Sequence, residues 1–192
     1  MTSRCAARPR CVIPPGWTSI PVAADNREAA QEVFREAWAS GPRDSIGPFI
    51  HRLEEWLLGV LDDARDAGAF AVVLPLGVPW QVPVSTAISL SLVPAESAAL
   101  PERGEMRETD AGPARRVAVD HATGGLDPER LTLLRTIEYV WVAPGDAGLL
   151  VAFASISGQP VPEFQPVTDA LTLLIETMLE ALDWPAADEE AA

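Results

Sequence analysis

The chain has 192 residues, 48% of them hydrophobic and 22% charged, enough for one substantial core within the ordinary globular range. Its 28 acidic residues outnumber 14 basic ones, all arginine, and the net charge is −14. Such a chain repels phosphate backbones and anionic lipid surfaces, so nucleic acid and membranes are set aside while protein partners stay open.

The N-terminal stretch 1–11 reads as a disordered tail. Its Arg4, Arg8 and Arg10 imitate the basic start of a signal peptide, but Pro9, Pro14 and Pro15 interrupt where an apolar segment is required. The two cysteines, Cys5 and Cys11, lie in the same region and read as free thiols of a cytoplasmic protein. Order is expected from about Val12 to Trp184 as a single domain, followed by an acidic, disordered tail over 185–192.

Pro14-Pro15-Gly16-Trp17 is an extended turn leading into a short strand over Trp17–Val22. Asp25 and Glu28 have capping-box spacing, and the apolar positions that follow predict a helix from about Asn26 to Trp38, ended by Gly41-Pro42. A second helix starts near Asp44, with Ile46, Phe49, Ile50, Leu53, Leu57, Val60, Leu61 and Ala64 on one stripe and Gly68 as its stop. The period then changes to alternation: Phe70–Leu74 is a strand, and Gln81–Val93 is a second, with Val82, Val84, Thr86, Ile88, Leu90 and Leu92 on one face. Its other face is small, mainly serine and alanine, which allows a helix to pack there. Between these strands Val78, Pro79 and Trp80 form a proline-bracketed turn that presents a large aromatic.

Pro94–Gly112 reads as a polar, poorly ordered loop. Strands are expected at Arg115–Asp120, Leu131–Val142 and Leu149–Ser157, the last apolar on both faces and therefore central. Val167, Leu171, Leu174, Ile175, Met178, Leu179 and Leu182 make a closing amphipathic helix that Pro185 stops after Trp184. The fold class is thus α+β, an antiparallel β-sheet flanked by helices. The longest apolar runs, such as Leu149–Ala154, are too short to span a bilayer.

Chemistry-bearing residues are sparse. His51 sits on the polar flank of a helix and His121 at a strand end, neither with a second histidine or cysteine at metal-ligand spacing. Gly124-Gly125 lacks the lysine and the strand-to-helix context of a phosphate loop, and Ser155-Ile156-Ser157-Gly158 lacks the preceding glycine of a nucleophile elbow. No catalytic residue, metal site or cofactor is therefore assigned. An exposed aromatic in a rigid loop is a frequent interface anchor, so Val78, Pro79 and Trp80 form the candidate interaction site, the alternative being that Trp80 folds back to cap the sheet.

The element order resembles the fold of the photosystem II extrinsic protein PsbP. The carrying residues are Pro15-Gly16-Trp17, the hairpin Thr136–Val142 with Leu149–Ser157, and the helix ending at Trp184. Over about Val12 to Trp184 the chain is similar to actinobacterial proteins of that fold and to LpqN-type lipoproteins, although it has no lipid-anchor cysteine after an apolar segment. The resemblance implies a PsbP-like α/β/α sandwich and a non-enzymatic interaction or accessory role, associated with specialised, type VII-like secretion. The alternative is a small-molecule-binding or enzymatic domain with its site between sheet and helices.

Overall fold

The computed structural model describes residues 8–40, 43–78, 81–95, 99–123, 131–146 and 148–185, apart from the side chains of 36–50, 123 and 146. Among them, seven strands form one fully antiparallel sheet and three α-helices flank it. The chain order is β1 (Thr18–Pro21), α1 (Arg27–Ser40), α2 (Arg43–Asp66), β2 (Ala69–Leu74), β3 (Val84–Val93), β4 (Glu105–Thr109), β5 (Gly112–Thr123), β6 (Thr132–Val142), β7 (Leu149–Gly158) and α3 (Phe164–Glu180). In the sheet the strands lie β1-β2-β3-β7-β6-β5-β4. This is the expected α+β class, a sheet flanked by helices.

Each element follows from its local pattern. The unbroken apolar run of β2 is buried on both faces, and in β3 the alternating Ile88 and Leu90 face one side while Ala87 faces the other. Gly68, with φ +80, ends α2 in a conformation that other L-residues rarely adopt, and the chain turns at once into β2. Asp25 accepts a hydrogen bond from the Arg27 amide at 3.0 Å, closing the start of α1. Asn26 holds the Ala23 amide at 2.8 Å and donates to Asp62 of α2 at 3.1 Å, which ties the helical hairpin to the end of β1.

Two apolar clusters result, one on each face of the sheet. The larger joins Trp17, Ile88, Ile137, Tyr139, Trp141, Leu150 and Ile156 to Leu171, Ile175, Met178 and Leu179 of α3. The smaller joins Ile20, Val22, Val72 and Leu74 to Ala30 of α1 and to Leu57 and Leu61 of α2. β7 is central, as its apolar texture predicts, lying between β3 and β6. Within the stretch expected as a tail, Arg10 pairs with Asp183 at 3.1 Å and Cys11, half-buried, packs against the α3-side cluster.

The loop expected over Pro94–Gly112 contains β4, an edge strand paired with β5 from Glu105↔Arg116 to Thr109↔Gly112. An edge strand has one neighbour and needs no apolar alternation, so Glu105-Met106-Arg107-Glu108-Thr109 did not read as a strand. Because β3 and β4 are separated by β7, β6 and β5, the chain between them must cross the sheet. It does so on the α1–α2 face: Arg103 donates to Glu138 of β6 at 2.9 Å, and Gly104 lies against Val117 and the Arg116 carbonyl.

Candidate functional site

Of the sequence-derived site, Val78 is half-buried against the α3-side cluster, while Pro79 and Trp80 lie outside the described residues. The turn carrying Val78 is tied to the opening Pro14-Pro15-Gly16 turn by a Gly77 amide to Gly16 carbonyl hydrogen bond of 2.8 Å. Val78 thus contributes to the packing between these two turns. Among the tryptophans, Trp17 and Trp141 fill the core, and Trp184 is half-buried with its indole nitrogen donating to the Ala111 carbonyl at 3.2 Å. Trp56 stands exposed on α2.

The densest polar chemistry lies along one flank of α3. Arg135 of β6, only 15% exposed, is held by Asp120 of β5 at 2.6 Å and by Asp169 of α3 at 2.8 Å, and it donates to Thr172 at 3.2 Å. The hydrogen bond from Arg135 holds the Asp120 carboxyl below its ordinary pKa, and the same pairing pushes the guanidinium up. Arg116 of β5 pairs with Glu176 of α3, and buried Tyr139 donates to Glu180 at 3.1 Å. Burial, then the nearby Glu176 and Glu180 carboxylates, push the Tyr139 phenol well up. The outcome is a row of matched pairs that seats the acidic edge of α3 on strand arginines. A cavity of about 90 Å³ opens beside it, lined among others by Thr168, whose buried hydroxyl has no hydrogen-bond partner. That volume is well below the ~300 Å³ of the smallest usual ligand sites.

The two histidines lie in separate elements and line different depressions. His51 of α2 pairs with Glu54 at 3.3 Å at the rim of an open depression of about 490 Å³ shared with Glu28, Gln31 and Arg35 of α1. His121 is exposed on β5, where adjacent residues alternate, so it and Asp120 point to opposite faces. Cys11 carries a free thiol whose pKa is raised by burial.

A different surface stands out on the α1–α2 face. The helical hairpin packs on β1, β2 and Ala87 of β3, and among the described residues no helix covers the same face beyond it. The register fixes its floor in rows. Ser89, Phe153, Glu138 and Val117 lie side by side, then Ala87, Ser155, Thr136 and Val119, then Ser85, Ser157, Leu134 and His121. Phe153 is 43% exposed and Val119 42%. Val93, Met106 and Val142 are exposed on this face too, beyond the crossover, whereas Val140 is buried. Five adjacent strands therefore each leave one large apolar side chain in solvent on the same side of the sheet.

No family model matches this chain, and neither a curated protein nor a solved structure does.

Sequence reading passed over this surface because Phe153 belongs to a strand apolar on both faces, which implies burial on both. Its usable signal was arithmetic: even the six strands legible in the sequence, about 4.8 Å apart, span roughly 24 Å between the outer two, more than one helical hairpin about 20 Å across covers.

Proposed function

We propose that the protein is a non-enzymatic interaction or accessory protein that docks a partner on the uncovered part of its α1–α2 sheet face. The supporting observation is that, in a chain of net charge −14, this field is nearly uncharged and exposes two large apolar side chains. Phe153 and Val119 stand among Ser89, Ser155 and Thr136, and Glu138 is neutralised by Arg103. Exposed apolar area of this kind costs solubility and marks interaction sites. The resemblance to PsbP-like actinobacterial proteins supports an accessory role in specialised, type VII-like secretion, in the cytoplasm.

The test is site-specific photo-cross-linking in an extract of the native cells. A benzophenone amino acid in place of Phe153 is expected to capture a defined protein product. The same group in place of Leu173, exposed on α3, should not give that product, and adding Val119→Glu should abolish it. Identical products from both positions would refute the reading.

A further inference from the structure

Independently of the docking reading, we infer that β4 is a self-pairing edge: two copies of this chain join β4 to β4, antiparallel about a two-fold axis through Met106, into one continuous sheet. Among the described residues β4 ends the sheet order, with β5 on one side and no strand on the other. The outward row of backbone N–H and C=O groups is a template for another strand unless something blunts it. β1, the opposite edge, carries Pro21, which has no N–H to donate. β4 contains no proline, and its register with β5 advances residue for residue from Glu105↔Arg116 to Thr109↔Gly112 without a bulge. The described end of the crossover leaves this edge open, being fixed inward by Arg103 on Glu138 of β6 and by Gly104 against the Arg116 carbonyl of β5.

What β4 carries instead is charge, and the order of its signs selects the partner. Residues opposed across an antiparallel ladder share a face of the sheet, and side chains alternate faces along each strand. Two identical strands related by a two-fold axis therefore pair about a residue, never about the bond between two. An axis at Glu105 or Glu108 sets glutamate against glutamate, one at Arg107 sets arginine against arginine, and one at Thr109 brings Glu108 against Asp110, each a like-charge contact that weakens the ladder. Met106 alone avoids this. There Met106, 49% exposed, meets its own copy, Glu105 meets Arg107 of the second copy, and Arg107 meets Glu105, so that four charges alternate in sign. In the single chain Arg107 donates to Glu105 at 2.9 Å through one terminal nitrogen, and its Nε has no hydrogen-bond partner among the described residues, which keeps donors for a second carboxylate. The charge is also local: between positions 103 and 116 the chain sets Arg103, Arg107, Arg115 and Arg116 against Glu105, Glu108 and Asp110, so this ribbon escapes the acidity that elsewhere holds two such chains apart.

Sedimentation velocity of the full-length chain, from micromolar to millimolar concentration, is expected to show a reversible dimer. Arg107→Glu sets glutamate against glutamate and should weaken it at least tenfold, as should Glu105→Arg by setting arginine against arginine. An equimolar mixture of the two variants should restore association, since each then meets its complement. Cysteine reads the register. With Cys5→Ser and Cys11→Ser as background, Met106→Cys places two thiols directly opposite, where Cβ atoms stand ~5 Å apart, and should cross-link the dimer under mild oxidation. Glu108→Cys faces Gly104 of the second copy, ~13 Å along the strand from its own counterpart, and should not. This second measurement decides the matter should a charge variant not fold. A chain that stays monomeric throughout, a dimer indifferent to Arg107→Glu, a mixture no more associated than its parts, or equal cross-linking from positions 106 and 108 would overturn the inference.

Discussion

Three leucines of α3 give a graded test of how this helix seats on the sheet. Leu179 is fully buried, Leu174 is half-buried at the edge of the same cluster, and Leu173 is 68% exposed. Truncating Leu179 to alanine removes its apolar contacts and leaves a cavity in a core that cannot fully collapse, at a cost of roughly 2–5 kcal/mol. For a domain of this length 1 kcal/mol corresponds to about 2–4 °C, so Tm should fall by roughly 4–20 °C. Leu174→Ala loses about half as much area from water and should cost roughly 1–2.5 kcal/mol, while Leu173→Ala should stay within about 0.5 kcal/mol of the parent. Urea denaturation with an unchanged m-value measures all three. A Leu174→Ala loss equal to that of Leu179→Ala, or a Leu173→Ala loss above about 1 kcal/mol, would show that the helix is rotated from the orientation described here.

The remaining predictions concern charge and backbone. The Tyr139 phenol is pushed above its ordinary value, so folding favours its neutral form. That contribution is intact below pH ~10 and declines as pH rises past it, because the unfolded chain ionises first. Tyr139→Phe should therefore flatten the fall of stability with pH in alkaline denaturation, and an unaltered slope would contradict the burial argument. Asp120 is shifted the other way: its contribution is present above pH ~3.9 and is lost as pH falls through its lowered folded value. Its side chain is 65% exposed, so Asp120→Asn should cost under about 1 kcal/mol at neutral pH, less still in high salt, and reduce acid sensitivity below pH 4. Gly104 has φ +94, and a Cβ there would stand 2.4 Å from the Arg116 carbonyl oxygen. Gly104→Ala should cost at least ~2 kcal/mol and detach the crossover from the sheet face, seen as lost hydrogen-exchange protection around Arg115 and Val117. An alanine variant as stable as the parent would rule out the close approach.

Much of the architecture is a matter of local pattern and was legible without any contact being known. Asp25 at the start of α1, the stripe from Leu171 to Leu182, the alternation of β3 and the turn at Gly68 each specify an element through interactions spanning a few residues. Placing Asp120 and His121 on opposite faces needed only the two-residue period of a strand. What lay beyond reach depends on which strands become neighbours. β4 is a strand because β5 offers it a ladder, not because Glu105–Thr109 has strand texture. Arg135 finds Asp120 and Asp169 only because β5, β6 and α3 converge, across sequence separations of 15 and 34 residues.

The candidate surface shows the same division. Sequence alone determined that Phe153 lies in a central strand and that Val119 points away from Ala118 and Asp120, since side-chain direction along a strand is local. Whether either meets water was decided by the sheet order, by the reach of the α1–α2 hairpin and by the path of the β3–β4 crossover. Burial is a property of what covers a face, and here the covering elements are distant in the chain, so only the tertiary structure could leave Phe153 and Val119 exposed between them.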